Sequence, residues 1–392
     1  MNWNDLYKII CQRVELACTE GVIPGCVIGV RHQGESKTWA FGDNSYSKEL
    51  FDQRWDANPP RSDLACPNFQ DSAEFKKQSD HLKTKVFTDT ILRKLQISDI
   101  YDCASVTKSV PLAILALLAI QEKLISLDTL VIDVAPHFGQ NYQDVTIWHL
   151  LTHTLDFRMS LGQIAKGGED VIAAIMNRSF DAAPGDIYCY SNSSSIVLAV
   201  VLETIYQRPL DELAQDKVFN PLQMTSSTLD GNSKALPVEY CPWRQAVVQG
   251  QVHDESAASI FPRNLGAAGL FSNVPDLMKF LEELSLSFQG KGKILTASTI
   301  QLLLENQIPL ISTTSLGMEF QEPRFMSNKA CQEKTLGKTG FTGSHWIFAP
   351  EKDLGLVCLS QYTWPRRMSS TDTINQLRID LSEILFQVSQ VG

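Results

Sequence analysis

The chain has 392 residues, of which 44% are hydrophobic and 20% are charged, values that are ordinary for a globular protein. A chain of this length predicts one large domain or two lobes that share an interface. Its formal net charge of -10 opposes sequence-independent attraction to nucleic acid or to anionic lipid, so we expect neither as a partner.

The N-terminal segment, residues 1–21, lacks the basic start, apolar centre and small-residue cleavage site of a signal peptide. We therefore expect a cytoplasmic protein if Met1 is the natural start. Nine cysteines without a C-x-x-C pair favour reduced thiols over a disulfide framework or a zinc site. The longest apolar run, residues 110–120, is shorter than the roughly 20 residues that span a membrane, so we expect a buried helix and no membrane span.

The predicted elements begin with an amphipathic helix, residues 4–19, and a β-hairpin over residues 26–42. Residues 43–98 are polar and show no sustained period, which indicates a long surface excursion. Segments from 99 to roughly 251 are mostly helical, with two runs that are apolar on more than one face. The later part of the chain contains the strand-like runs 314–320, 345–350 and 354–361, and a last helix at 371–388.

Strands at both ends of the chain with helices between them predict an α+β fold. One antiparallel sheet would be built from both chain ends and flanked by helices, with a mostly helical lobe inserted. We expect residues 1–98 and 256–392 to form the sheet lobe, residues 99–255 to form the helical lobe, and the active site to lie at their interface.

The first candidate motif is Ser105-x-x-Lys108, at the front of the apolar run. A serine and a lysine three positions apart lie on the same helix face, so the amine can reach the hydroxyl. Near a helix start, free backbone N–H groups can also stabilise an oxyanion. The alternative is an ordinary capping serine, and a second copy, Ser45-x-x-Lys48, leads into no apolar helix.

Pro111 follows this motif closely and removes a helical hydrogen bond. Either the turn that carries Ser105 and Lys108 is offset from the main helix, or the helix kinks there. The sequence leaves both alternatives open.

The second motif, Tyr190-x-Asn192, follows a Pro184-Gly185 turn. A phenol and an amide two positions apart on an irregular segment can both point into one cleft, where the phenol relays protons and the amide holds a carbonyl or the lysine. The alternative is a packed tyrosine ring and an asparagine that caps the next helix.

The third motif, Lys338-Thr339-Gly340, can be interpreted in two ways. Together with Gly337 it could close a phosphate-binding loop, or it could form the polar strand edge of a serine acyl-transfer site. The Walker pattern requires a glycine where this chain has Gln332, and no strand-then-glycine segment precedes the lysine. The sequence therefore favours the strand edge.

Two histidine-containing segments are weaker candidates. His149 and His153 have a zinc-ligand spacing but lack the adjacent glutamate of the protease motif, so we prefer helix-end histidines satisfied by backbone. The segment from His253 to Glu255 is acidic, and we expect an exposed structural turn. We predict no metal site and no cofactor.

The order of the three motifs resembles that of the serine β-lactamase and penicillin-binding-protein-like family. The branch with Tyr-x-Asn includes class C β-lactamases, D-alanyl-D-alanine carboxypeptidases and related esterases. The segment HLLTHTLDF is similar to the family's Leu-Leu-Thr-His-Thr signature, and GAAGLFSNVPDLMKFLEEL matches a later segment. The resemblance covers most of the chain except about residues 43–97, and it implies a β-lactamase/transpeptidase-like fold.

Transferred residue by residue, the resemblance implies that Ser105 is the acylated nucleophile and Lys108 its proton partner. Tyr190 would be the other half of the base, and Asn192 would contact both the substrate and Lys108. A serine hydroxyl is a poor nucleophile until a nearby base takes its proton, and two ammonium groups around a phenol favour its charged form.

The resemblance also implies that Lys338 lowers the pKa of the phenol and, with Thr339, receives a carboxylate or polar group of the substrate. Gly340 belongs to the same substrate-binding edge. The backbone N–H groups of Phe341 and Ser105 would form the oxyanion hole.

Two departures from the family do not remove a catalytic group. Residues 155–157, Leu-Asp-Phe, replace Ser-Gly-Leu, and Cys103 and Cys189 lie unusually close to the site. We expect a serine hydrolase of small ester or amide substrates, with β-lactams and D-alanyl peptides as candidates. A cytoplasmic address favours an esterase or amidase. The competing hypotheses are a catalytically inactive relative that binds or regulates, and a nucleotide-binding protein.

Overall fold

The computed structural model describes residues 2–57 and 73–388. In this part of the chain the strands are β1 Gly25–His32, β2 Glu35–Gly42, β3 Tyr101–Asp102, β4 Pro237–Cys241, β5 Ala246–Gln249, β6 Phe271–Ser272, β7 Glu319–Phe320, β8 Leu336–Thr339, β9 His345–Ala349 and β10 Leu354–Ser360. The α-helices are α1 Trp3–Thr19, α2 Lys48–Ala57, α3 Ala73–Asp89, α4 Ile114–Gln121, α5 Val131–Val134, α6 Ile147–Thr152, α7 Leu161–Lys166, α8 Val171–Met176, α9 Asn192–Tyr206, α10 Leu210–Ala214, α11 Glu255–Ser259, α12 Val274–Phe288, α13 Ala297–Leu303, α14 Asn328–Cys331 and α15 Asp372–Val388.

The main sheet has six antiparallel strands in the order β2-β1-β10-β9-β8-β7. Two of its strands come from the beginning of the chain and four from its later part, which confirms the predicted sheet of both chain ends. The predicted hairpin is also confirmed. Its turn residues Gln33 and Gly34 both have positive φ, 49° and 84°, as a type I′ turn requires.

Both faces of the sheet are covered, and the side chains of β1 alternate between them. Cys26 and Ile28 pack with α1 and α15 on one face, whereas Val27 belongs to the larger core that includes α4, α9 and α12 on the other. Helix α1 begins as predicted. Its N-cap Asn2 accepts hydrogen bonds from two backbone amides, and it buries the apolar side chains of one face: Leu6, Ile10, Val14 and Ala17.

The surface excursion differs from its prediction. Residues 43–98 contain helices α2 and α3, although residues 58–72 lie outside the described part. Phe51 and Trp55 are buried and form a small core with Val86 and Trp364. This core depends on a tryptophan from the far end of the chain, a contact that local periodicity does not show.

The nucleophile segment precedes the buried helix but is separate from it. Residues 104–108 form a 3₁₀ turn, Val110 is extended (φ -130°, ψ 110°), and α4 begins at Ile114. The first alternative for Pro111 is therefore correct. By length and composition alone, the described stretch Ala104–Gln121 could cross a membrane, and 83% of it is buried inside the protein.

The segment between residues 99 and 251 is mostly helical, as expected, and it also carries the two-stranded sheet β4-β5. The assignment of residues 99–255 to one lobe and the remainder to another stays a prediction.

Candidate active site

Ser105 is held on its 3₁₀ turn by the residues just before it. Asp102, at the end of β3, is buried, and its Oδ1 accepts a hydrogen bond of 2.8 Å from the amide of Ala104. Ala104 has φ +46°, in the left-handed region that a non-glycine residue rarely adopts. Strained backbone of this kind persists when its surroundings enforce it, and it clusters at functional sites.

Lys108 is 1% exposed and donates to three acceptors. Its Nζ lies 3.2 Å from Ser105 Oγ, 2.8 Å from Asn192 Oδ1 and 2.5 Å from the carbonyl oxygen of Ala267. An ammonium has three N–H groups. The first two sequence motifs therefore meet directly at this lysine, and three acceptors surround its Nζ.

Tyr190 lies beside both lysines of the motifs. Its ring centroid is 5.3 Å from Lys108 Nζ, 4.6 Å from Lys338 Nζ and 4.8 Å from the ring of His153. Burial of the hydroxyl would raise the pKa of Tyr190, but the two ammonium groups outweigh this effect and the pKa is lowered. The residue keeps 42% of its surface exposed, so a substrate can approach it.

Asn192 connects Lys108 to an acidic side chain beneath the site. Its Nδ2 donates to Asp254 Oδ2 at 2.9 Å and to Ser256 Oγ at 3.0 Å. Asn192 is the first residue of α9, and the N-cap is Ser191, whose Oγ accepts from an amide of the first turn. The alternative that Asn192 merely caps the helix is therefore wrong.

Lys338 lies on β8 and pairs with a carboxylate that the sequence analysis did not single out. Its Nζ is 2.8 Å from Glu319 Oε1, and the two side chains are 2% and 5% exposed. Burial would lower the pKa of Lys338, but the charge of Glu319 outweighs it and raises the pKa. Because Lys338 lies inside a strand and not at a helix start, the phosphate-loop interpretation fails.

The end of β8 is fixed against the nucleophile segment. A Cβ on Gly340 would lie 2.4 Å from the carbonyl oxygen of Cys103, so only glycine permits this approach. Thr342 Oγ1 donates to the carbonyl oxygen of Asp102 at 2.7 Å. The third motif therefore lies next to the first, and Thr339, the last residue of β8, immediately precedes this contact.

The proposed oxyanion donors, the amides of Ser105 and Phe341, donate no hydrogen bond within residues 2–57 and 73–388. Arg378 of α15 supports the turn after β8 from below. Its Nη2 lies 2.9 Å from the carbonyl oxygen of Gly340 and 3.2 Å from that of Ser344. The orientation of the Phe341 amide thus depends on a buried guanidinium.

The expected exposed turn around His253 is wrong, because His253 is only 3% exposed. Its ring stacks on Phe341 with centroids 5.8 Å apart, and its Nε2 lies 3.2 Å from Glu239 Oε1. Burial would raise the pKa of Glu239, but His253 and Arg367 outweigh it and lower the pKa to about 2. Beyond the histidine itself, no sequence pattern indicates this network.

The remaining histidine pair is not arranged as two free ligands. His149 Nδ1 accepts from the amide of Thr146 at 3.0 Å, and His153 Nδ1 lies 3.4 Å from the amide of Ser191. Burial and the charges of Lys338 and Lys108 hold the pKa of His153 well below its usual range, so its ring is neutral. These are helix-end histidines satisfied by backbone, as the sequence favoured.

A family profile described as Beta-lactamase matches residues 88–379, which is most of the chain. The chain belongs to the Beta-lactamase family. The match begins at residue 88, near the end of α3, and the matched region contains every residue of the site described above.

Among curated proteins, a putative D-alanyl-D-alanine carboxypeptidase from Escherichia coli (strain K12) is 25% identical over 199 residues. A protein of the same name from Salmonella enteritidis is 26% identical over 198 residues. Both matches cover 45% of this chain and 45% of the relative. The chain thus spans less than half the length of the curated relatives that it matches.

Solved structures support the Beta-lactamase fold over the whole chain. A mutant of simvastatin synthase from Aspergillus terreus has a TM-score of 0.69 at 16% identity. The alignment covers 99% of this chain and 98% of the synthase chain. EstCE1, a hydrolase with promiscuous acyltransferase activity, has a TM-score of 0.68 at 16% identity, with coverages of 98% and 99%. An octameric penicillin-binding protein homologue from Pyrococcus abyssi has a TM-score of 0.64 at 18% identity. The alignment covers 100% of this chain and 77% of the homologue's chain.

Proposed function

We propose that this chain is a serine hydrolase that forms an acyl-enzyme on Ser105 and cleaves ester or amide bonds of small molecules. The observation that carries the proposal is the arrangement of Ser105, Lys108 and Tyr190. The lysine contacts the serine hydroxyl, and the phenol lies beside two ammonium groups that lower its pKa. The phenol of Tyr190 also forms a hydrogen bond with the hydroxyl of Ser105, so nucleophile and base are in contact, as covalent catalysis requires.

In the proposed first step, Ser105 Oγ attacks the substrate carbonyl carbon and its proton passes to the phenolate of Tyr190. Lys108 Nζ, which contacts Ser105 Oγ, Asn192 Oδ1 and the carbonyl oxygen of Ala267, holds the hydroxyl in place, and its charge favours the phenolate. The oxyanion that forms accepts hydrogen bonds from the amides of Ser105 and Phe341. Collapse of the tetrahedral intermediate breaks the ester or amide bond, and Tyr190 returns the proton to the leaving group.

In the second step, water loses a proton to Tyr190 and attacks the acyl carbon, and Ser105 regains its proton as the carboxylic acid leaves. An alcohol in place of water would yield an ester by the same route. The structurally similar EstCE1 is a hydrolase with promiscuous acyltransferase activity, so the reaction products should be analysed for such an ester as well as for the acid. Retention of Ser105, Lys108, Tyr190 and Lys338 argues against the catalytically inactive alternative.

The proposal is tested by mass spectrometry of the intact protein after exposure to a fluorophosphonate and, separately, to a penicillin. We expect an adduct on the wild type with at least the fluorophosphonate and none on Ser105→Ala. Ser45→Ala, in the segment Ser45-x-x-Lys48, is the matched control and should still be labelled. No adduct with either reagent on the wild type would overturn the proposal, and an adduct on Ser105→Ala would assign the nucleophile elsewhere.

A further inference from the structure

The charge of Lys338 is already matched inside the protein. Glu319 Oε1 lies 2.8 Å from Lys338 Nζ, and both side chains are almost fully buried. The other oxygen, Glu319 Oε2, is also buried and accepts no hydrogen bond within the described residues. A lysine that must attract a substrate carboxylate would have to share its charge with this permanent neighbour.

The other cations around the cleft are paired in the same way. Arg367, which lies 5.6 Å above the Phe341 ring, is in ion pairs with both Glu239 and Glu255 at 2.5 and 2.8 Å. Arg324, whose charge acts on Tyr188 beside the site, is 3.0 Å from Glu322.

Beneath Lys108, Asn192 leads to Asp254, a buried carboxylate. Burial would raise the pKa of Asp254, but hydrogen bonds from Ser256 and from the amide of Ala257 outweigh it and lower the pKa, so this carboxylate stays ionised. The two ammonium groups beside Tyr190 are therefore balanced by two carboxylates, Glu319 and Asp254.

We infer that the site selects esters and amides whose recognition group is polar but uncharged, and that it discriminates against substrates that place a carboxylate on Lys338 and Thr339. This inference rests on the proposed function and names its substrate class. A carboxylate bound at Lys338 would have to approach Glu319 in a largely dehydrated site, and like charges in such surroundings repel strongly. A hydroxyl or carboxamide can bond to the same Lys338 and Thr339 without that penalty.

The test uses two isosteric pairs of substrates. One pair is the 4-nitrophenyl monoester of glutaric acid and its terminal carboxamide, which differ in charge on the acyl part. The other pair is 4-carboxyphenyl butyrate and 4-carbamoylphenyl butyrate, which differ in charge on the leaving group. We expect kcat/KM for the carboxamide to exceed that for the carboxylate by at least about tenfold in one or both pairs.

Glu319→Gln removes the opposing charge and keeps the shape of the side chain. The carboxamide-to-carboxylate ratio of kcat/KM should fall about tenfold in this variant. Glu333→Gln changes the net charge equally at a carboxylate that pairs with Lys352 at the surface, and it should leave the ratio unchanged. Because each ratio is taken within one variant, a general loss of activity cancels.

Wild-type ratios near one, or ratios that favour the carboxylate in both pairs, would overturn the inference while leaving the proposed function intact. A ratio that does not change in a folded Glu319→Gln variant would also overturn it. If that variant does not fold, the wild-type ratios alone decide. Absence of turnover for all four esters, together with absence of a fluorophosphonate adduct, would instead overturn the proposed function and the inference with it.

Discussion

The chain contains two Ser-x-x-Lys segments, and their surroundings differ in every respect that matters for catalysis. In the first, the side chain of Lys48 is 49% exposed and pairs with Asp52 one helical turn away, at 2.5 Å. In the second, Lys108 is buried and contacts both Ser105 and Asn192. The same spacing thus produces a surface ion pair in one place and a nucleophile contact in the other.

The two serines differ as well. Ser45 is buried, and its Oγ accepts a hydrogen bond of 2.8 Å from the indole of Trp364, so it serves the core of the excursion. The Oγ of Ser105 instead contacts Lys108 Nζ at 3.2 Å, and Cys103, two residues before it, lies against Gly340 just after β8. A local Ser-x-x-Lys motif thus becomes part of an active site only where distant segments of the chain supply the remaining catalytic and supporting groups.

The largest difference should appear when each lysine is replaced. Lys108→Met removes the donor that contacts Ser105 and one of the two charges beside Tyr190, and we expect kcat/KM for a nitrophenyl ester to fall by about 10²–10⁴-fold. Lys48→Met should leave kcat/KM unchanged, since it removes only an exposed ion pair. Equal losses in the two variants would contradict the assignment of Lys108.

The close approach of β8 to the first motif can be broken by one methyl group. Gly340→Ala would place a Cβ against the carbonyl oxygen of Cys103 and displace the Phe341 amide, so we expect kcat to fall by about 10²–10³-fold. Gly162→Ala, on α7, meets no atom closer than 4.0 Å and should keep full activity. Full activity in both variants would show that this contact does not position the oxyanion donor.

The effect of the Lys338 charge on the pKa of Tyr190 should appear in the pH dependence of kcat/KM. Because the pKa of Tyr190 is lowered, its phenolate form, and with it the activity, is lost as the pH falls through that pKa. Lys338→Met removes one of the ammonium groups that lower the pKa, so the midpoint should move to higher pH by about one unit. Lys94→Met replaces a lysine whose side chain is 77% exposed, and this variant should leave the midpoint in place. A midpoint that does not move in Lys338→Met would refute this electrostatic role.

The smallest effect on activity should come from replacing Ser45. Ser45→Ala leaves the indole N–H of Trp364 without its acceptor, and we expect the free energy of unfolding to drop by about 1–2 kcal/mol in urea denaturation, with kcat/KM unchanged. Ser36→Ala, at an exposed position of β2, should change it by less than about 0.5 kcal/mol. Loss of activity in Ser45→Ala would mean that the two segments are coupled.

Much of the fold could be predicted because its signals are local. The spacing of apolar residues defines α1, and the Gln33-Gly34 turn defines the hairpin, within a residue or so of their observed bounds. Helices α2 and α3 could not be predicted in the same way. Their polar composition hides the few aromatic residues, Phe51 and Trp55, that pack against Trp364.

For the site, the resemblance of the three ordered motifs to the serine β-lactamase family predicted which polar groups meet. The supporting residues have no such signature. Glu319 is one acidic residue in a short strand, and Arg378 is one arginine in a long helix. Their importance arises from contacts with segments far away in the chain, which only the folded protein brings together.

The guanidinium of Arg378 has a consequence for the order of events during synthesis. It belongs to α15, which is translated after every motif of the site, and it holds the two carbonyl groups that flank the turn bearing the Phe341 amide. A nascent chain that has already made Ser105, Lys108 and Tyr190 therefore still lacks the support of its oxyanion donor. Support of the oxyanion donor therefore comes last in synthesis, because it requires α15 to dock against the turn after β8.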